Sequence, residues 1–195
     1  MLDECVTHLV HNVLPAAADY EAAEQALSEA YRQNHEEASW QGAARTAKRR
    51  AAELAVAIDG LTDRCHVELG MSKTAVRRTV AGLCSFPGST IMRAGAHDRV
   101  RGVANAYKHM DLNDPTLPIA SDADVIVIGL GYGLDGWGVG KFGGVEVLVR
   151  ERGGETWKFL GDVPVTISAW FQFLSANGAT LPTGPYSFWG LQIHP

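Results

Sequence analysis

The sequence predicts an α+β fold, in which an N-terminal helical bundle precedes a small antiparallel β-sheet and a covering C-terminal helix. Apolar residues recur at steps of three and four through the first 112 residues, as in amphipathic helices. After Pro118, short runs of β-branched and aromatic residues replace that period. We expect a single domain over residues 1–195, with a bundle part at 1–115 and a sheet part at 119–195.

The bundle part contains four or five predicted helices, over the segments 3–14, 16–34, 39–65, 72–83 and 94–110, of which the first two could be one helix. Pro15 either kinks one long helix or begins the second helix. The third helix carries a long apolar seam, which alternates steps of three and four. Its members are Ala44, Ala47, Ala51, Leu54, Ile58, Leu61 and Cys65. The alanines on this seam let neighbouring helices approach closely.

The sheet part contains three predicted strands, at 124–129, 145–150 and 156–160. Gly153 and Gly154 predict a tight hairpin turn between the last two strands. A short helix is predicted at 164–175, where Pro164 opens an aromatic-rich segment. The tail from Leu181 to Pro195 is expected to run extended, packed on the body or on a second subunit.

Composition favours a cytoplasmic globular protein without membrane contact. The chain begins with acidic residues rather than a basic and apolar leader, and its longest apolar run, Val125 to Leu130, has only the length of a strand. Three cysteines, an odd number without metal-type spacing, indicate reduced thiols. Long amphipathic helices and the aromatic tail predict a homodimer.

Charge is unevenly distributed along the chain. Between Arg45 and Lys108 there are 12 basic and 5 acidic residues, whereas the remainder carries 5 basic and 17 acidic residues. The region 45–108 could therefore present a basic face to nucleic acid or to another phosphate-bearing ligand. Alternatively, the basic helix neutralises the acidic segment 19–37 within the chain.

The glycine-rich segment 129–144 carries a Gly-x-Gly-x-x-Gly pattern that begins at Gly131. A dinucleotide site would need a helix to begin at these glycines, and the four further glycines up to Gly144 exclude one. The segment is predicted to be either a plain connection between strands or a flap over a pocket. As a flap it could bind an anion through Gly131, Gly133 and Lys141.

The strongest candidate for chemistry is the polar side of the helix around residues 98–109. Asp98, Arg101, Asn105, Lys108 and His109 fall on this side, and Val100, Val103, Ala106, Tyr107 and Met110 fall on the other. In phosphodiester cleavage, His109 would be the general acid or base, and Arg101 and Lys108 would stabilise charge on the phosphorane. Asn105 would orient His109 or the phosphate. Alternatively Arg101 pairs with Asp98, and His109 simply ends the helix.

An arginine followed by a polar residue and a histidine on one helix resembles the HEPN superfamily of helical ribonucleases and nucleotide-binding proteins. Seven residues separate Arg101 from His109, whereas that superfamily spaces them by four to six. The segment from Val103 to His109, followed by the glycine-rich stretch, is similar to a class of uncharacterised bacterial proteins of about this length. The first resemblance implies a metal-independent ribonuclease or a nucleotide-binding protein, and the second implies no activity.

Seven histidines raise the alternative of a metal-binding helical bundle. No His-Glu-x-x-His, Glu-x-x-His or Cys-x-x-Cys spacing is present, so no metal or other cofactor is predicted. The function that the sequence favours is a non-enzymatic binding or structural homodimer, ahead of the ribonuclease and metal-binding alternatives.

Overall fold

The computed structural model describes residues 2–109, 112, 114–129, 135 and 139–194. It confirms the α+β prediction: helices build the first half of the chain, and a three-stranded antiparallel sheet and a long helix follow. The helices are α1 (Asp3–His8), α2 (Leu14–Gln33), α3 (Glu37–Leu69), α4 (Lys73–Ala81), α5 (Ala96–Lys108) and α6 (Phe159–Ala176). The strands are β1 (Val125–Gly129), β2 (Val145–Arg150), β3 (Thr156–Lys158), β4 (Tyr186–Phe188) and β5 (Leu191–His194).

The first two predicted helices are continuous. A π-helical turn, Leu9–Val13, joins α1 to α2 without leaving helical backbone angles. Pro15 is the second residue of α2 and follows the π-helical turn directly, so the irregular hydrogen bonding and the missing N–H fall at the same place. The structure combines the two alternatives for Pro15, because the helical backbone is unbroken and Pro15 stands in the first turn of α2.

The 33-residue helix α3 is the longest helix of the bundle. All seven residues of the predicted seam are buried, and α3 packs against α2 and α5. It ends at Gly70, whose φ of +63° is the left-handed conformation that glycine adopts without penalty. Alanine at three seam positions permits the close helix packing that the sequence predicted.

The sheet has the order β1-β2-β3, and both pairings are antiparallel. Strand β2 lies in the centre and is buried on both faces from Val145 to Val149. The turn between β2 and β3 contains Gly154 at φ +90°, which confirms the predicted hairpin. The tail is not simply extended, because β4 and β5 form a second, two-stranded hairpin.

Helix α6 differs most from its prediction. It begins at Phe159 rather than at Pro164, and β3 ends correspondingly early at Lys158. Burial explains the change, because every residue from Phe159 to Phe171 is buried between the helices and the sheet. The lost hydrogen bond at Pro164 is outweighed by packing. Among the described residues, no helix combines the length and apolar character needed to cross a bilayer.

Candidate ligand-binding site

A buried carboxylate organises the charged centre of the molecule. Asp162, in the first turn of α6, is fully buried. Its Oδ1 accepts hydrogen bonds from Arg93 Nε at 2.6 Å and from Arg99 Nη2 at 2.8 Å, and its Oδ2 accepts one from Arg99 Nε at 2.8 Å. One carboxylate therefore holds two guanidinium groups side by side, in charge-assisted hydrogen bonds.

Two further carboxylates complete the pairing of these arginines. Asp135 accepts two hydrogen bonds from Arg93, at 2.9 and 2.6 Å, and a third from the backbone N–H of Lys158 at 2.9 Å. Glu151 Oε1 accepts a hydrogen bond from Arg99 Nη1 at 2.9 Å. Arg93 Nη2 and Arg99 Nη2 each donate a second hydrogen bond, to the carbonyl oxygens of Lys158 and Ala94 respectively.

The arginines are held permanently charged. Burial alone would lower the pKa of Arg93, but hydrogen bonds and charges from Asp135 and Asp162 outweigh it and raise that pKa. The pKa of Arg99 is likewise raised, because Asp162 and Glu151 outweigh its burial. Since each guanidinium already faces two carboxylates, neither needs an external anion.

The local backbone geometry places the side chains of both arginines next to Asp162. Arg93 lies in a narrow loop between α4 and α5, in which Phe86 N–H donates to Ile91 O and Arg93 N–H donates to Cys84 O. Gly95, at φ +75°, precedes α5 and lets the chain turn into the helix that carries Arg99. A Cβ at Gly95 would lie 2.8 Å from Arg99 Nη1, so the close approach of that side chain requires glycine.

An indole ring covers the arginine pair. The Cζ atom of Arg99 lies 4.2 Å from the ring centroid of Trp157, and that of Arg93 lies 5.4 Å from it. Both distances fit cation–π interactions. Trp157 Nε1 is buried and has no hydrogen-bond partner among the described residues.

A cavity of about 840 Å³ opens beside this network, and we call it the arginine cavity. Its apolar wall includes Phe86, Ile91, Met92, Val139 and Trp157. Ile91 and Met92 are 66% and 48% exposed, so two neighbouring apolar side chains of the wall are accessible to a ligand. Arg93, Arg99, Asp135, Glu151 and Glu155 supply the charged groups of the wall.

The residues predicted from the polar side of α5 do not line this cavity. Arg101 Nη2 donates to Asp114 at 2.9 Å rather than pairing with Asp98. Asn105 Nδ2 donates to the carbonyl of Arg101 at 2.7 Å, within its own helix. Lys108 lies 3.3 Å from Asp59, and His109 is exposed at the end of α5.

The predicted division of α5 into a polar side and a buried apolar side is only partly confirmed. Val100, Val103 and Ala106 are buried as expected, but Tyr107 is 52% exposed, and Met110 lies outside the described residues. The buried face of α5 includes Arg99, which is 1% exposed. Tyr107 is exposed because it stands at the last turn of the helix, where less of the bundle covers it.

The predicted anion site of the glycine-rich segment is described only in part. Gly131 and Gly133 lie outside the described residues. Lys141 is 8% exposed, and its Nζ lies 2.6 Å from Glu24 Oε2 and donates to the carbonyls of Glu24 and Val145. Its ammonium is therefore committed to the protein interior and does not face a ligand.

Lys141 belongs to a second buried network, with Glu24, Glu146 and Lys158. Glu24 Oε1 accepts hydrogen bonds from the Tyr20 hydroxyl at 2.9 Å and from the backbone N–H of Val147 at 3.1 Å. Glu146 is fully buried, and its Oε1 has no hydrogen-bond partner among the described residues. Burial, and then the charge of Glu24, raise the pKa of Glu146 to about 8, although Lys158 and Lys141 oppose the shift.

The basic segment near residue 48 is largely neutralised within the chain. Lys48 pairs with Asp122 at 2.7 Å, Arg49 with Glu53 at 3.8 Å, and Arg50 with Glu53 at 2.7 Å and with Asp19 of α2 at 3.5 Å. The last contact is the pairing between basic and acidic helices that charge complementarity predicted.

The histidines are dispersed. His8 Nε2 lies 2.8 Å from the carbonyl of Ala57, and His66 Nδ1 lies 2.6 Å from that of Met71. In the part of the chain that the structure describes, no three or more potential ligating side chains are grouped in a way that could hold a metal ion.

Sequence reasoning missed Arg93, Arg99 and Asp162, although two of them leave a signal. Arg99 shares a helical stripe with Val103 and Ala106, which places a cation on the apolar side of α5. Asp162 is the one acid within the apolar run from Phe159 to Leu174, where burial demands a partner. Arg93 lies in a loop and offers no periodicity from which its burial could be inferred.

Comparison with protein-family profiles, with curated proteins and with solved structures finds no match. The site is therefore interpreted from its own geometry.

Proposed function

We propose that this protein is a non-enzymatic binding protein and that the arginine cavity binds a small organic ligand. The observation that carries this proposal is the cavity itself, whose walls are mainly apolar and aromatic and contain a few fixed charges. Ligand sites typically enclose roughly 300–1,000 Å³ and combine such walls with a small number of oriented polar groups. The volume of about 840 Å³ falls within that range.

The charged groups at this cavity suit positioning better than catalysis. Arg93 and Arg99 are both bound by Asp162, and each is also bound by a second carboxylate. Groups that neutralise one another in this way stay in fixed protonation states, whereas acid–base catalysis needs a group that exchanges a proton. The network fixes the shape of the cavity wall and prepares it for a ligand.

Ligand-observed saturation-transfer NMR with indole, a neutral aromatic probe, tests the proposal. Replacing Ile91 and Met92 together by lysine removes the exposed apolar wall, so the double variant should lose the indole signal. A matched control replaces Val67 and Tyr107, which are similarly exposed and do not line the cavity, by lysine and should keep that signal. No binding to the wild type, or equal loss in both double variants, would overturn the proposal.

The ribonuclease alternative is tested separately, because it concerns α5. Arg101 and Asn105 donate to Asp114 and to the carbonyl of Arg101, and among the described residues no side-chain hydrogen bond or ion pair of His109 is present at the end of the helix. We expect the wild type and His109→Ala to leave total RNA equally intact. Cleavage by the wild type that the variant lacks would favour the ribonuclease over the binding protein.

Self-association stays a prediction, which light scattering of the purified protein checks.

A further inference from the structure

In the arginine cavity the positively charged side chains are buried, and two negatively charged side chains lie nearer to the solvent. The side chains of Arg93 and Arg99 are 3% and 1% exposed, whereas that of Glu151 is 21% exposed and Glu155 is an exposed residue. The positive charges are therefore shielded, and the carboxylates at the rim are what an incoming molecule meets.

The charges of the side chains around the cavity also sum to a negative value. Two guanidinium groups face four carboxylates, those of Asp135, Glu151, Glu155 and Asp162, which leaves a net charge of −2 around the cavity. Arg152 follows Glu151 in the chain and keeps its charge, because its guanidinium donates only to the uncharged carbonyls of Leu112 and Leu117; counting it changes the balance from −2 to −1 and does not reverse the sign. A negatively charged, partly enclosed wall attracts cations and repels anions.

The aromatic groups of the wall favour an apolar body, while the cationic end is left to the carboxylates at the rim. The side chains of Trp157 and Phe86 line the cavity, and each already has a guanidinium of the protein near its ring, at 4.2 Å for Arg99 and 5.9 Å for Arg93. Ile91 and Met92 add apolar surface that a simple metal cation or a polar polyamine would not use. The wall thus suits a ligand with a flat apolar body and one cationic end.

We propose that the arginine cavity selects an amphipathic small molecule, whose aromatic or aliphatic body lies against Trp157, Met92 and Ile91 and whose amidinium, guanidinium or ammonium group is bound by Glu151 and Glu155. This inference rests on the proposed binding function and adds the charge of the ligand to it. A phosphate-bearing or carboxylate ligand is excluded from the same site by the rim carboxylates.

Three probes of one shape and different charge separate the two proposals. They are 4-aminobenzamidine, a cation, 4-aminobenzamide, which is neutral, and 4-aminobenzoate, an anion. Affinities measured by isothermal titration calorimetry should fall in that order, with the cation favoured over the neutral amide by about fivefold or more. Raising the salt concentration should weaken the binding of the cation and leave the amide unchanged.

Glu155→Gln tests the rim directly, because the Glu155 side chain makes no hydrogen bond or ion pair with the part of the chain that the structure describes, and the substitution should not disturb the fold. It should weaken 4-aminobenzamidine about threefold and leave 4-aminobenzamide unaffected. Glu37→Gln, at another exposed position, on α3, is the matched control and should change neither affinity.

The outcomes distinguish the proposals. Equal or tighter binding of the amide or the benzoate would overturn the cation preference and leave the binding site in place. Binding of none of the three probes, together with the absence of an indole signal, would overturn the proposed function itself. A Glu155→Gln variant that binds the cation as tightly as the wild type would remove Glu155 from the site.

Discussion

Asp162 shows how much structure a single buried side chain can organise. It accepts three hydrogen bonds from Arg93 and Arg99, which come from a loop and from α5, while Asp162 itself belongs to α6. Three segments that are distant in the sequence therefore meet at one carboxylate. A buried ion pair contributes little net stability compared with apolar packing, but removing one member is costly, because it leaves the other charge uncompensated.

Asp162→Asn should accordingly destabilise the protein by about 3–5 kcal/mol, since an amide cannot neutralise two buried guanidinium groups. Urea denaturation measures the loss. Glu29→Gln, which removes one member of the exposed Arg32–Glu29 pair, is the control and should have a much smaller effect. Equal losses in the two variants would show that the network does not hold the three segments together.

At the scale of the element, α6 illustrates how tertiary contacts decide the role of a helix. It packs against α4, α5, the sheet and β5. Gly161 on this helix also lets two segments outside the helices and strands come close, because a Cβ there would collide with Val139 Cγ1 and lie 2.8 Å from Arg93 Nη2. The missing side chain thus makes room for the arginine network.

Two glycine-to-alanine substitutions in helices test this packing. Gly42→Ala in α3 meets nothing within 4 Å, so the better helix propensity of alanine should stabilise the protein by about 0.5–1 kcal/mol. Gly161→Ala gains the same propensity but introduces the collision, and it should destabilise the protein by at least about 2 kcal/mol. Thermal unfolding of both variants checks the prediction, and a stabilised Gly161→Ala would contradict it.

At the scale of the whole molecule, the second buried network couples folding to pH. The pKa of Glu146 rises from its ordinary value of 4.5 to about 8 on folding. Between these values the native state holds a proton that the unfolded chain releases, so this residue's contribution to the free energy of unfolding falls as the pH rises. The stabilisation is complete below about pH 4.5 and is lost as the pH passes through about 8.

Glu146→Gln is the test, because glutamine resembles the protonated acid and cannot ionise. The variant should become more stable relative to the wild type, by up to a few kcal/mol, between pH 5 and pH 8. Urea denaturation at several pH values measures this change, with Glu37→Gln as the control for the loss of one carboxylate. Parallel curves for wild type and Glu146→Gln would contradict the assignment of this pH dependence to Glu146.

The sequence determined the helices and strands that depend on local periodicity. The apolar seam of α3 and the glycine turn between β2 and β3 were predicted correctly, because these signals lie within a few residues of one another. Arg101, Asn105 and His109 were correctly placed on α5 or at its end, but periodicity does not say which side chains face a cavity.

Only the tertiary structure decided where the buried charges meet. Arg93, Arg99 and Asp162 are separated by up to 69 residues, and no local pattern records their contact. The same holds for α6, whose start at Phe159 depends on burial against elements far away in the chain. Local sequence sets the backbone preferences of each segment, whereas the pairing of charges is fixed when packing removes water from them and each must find an opposite charge.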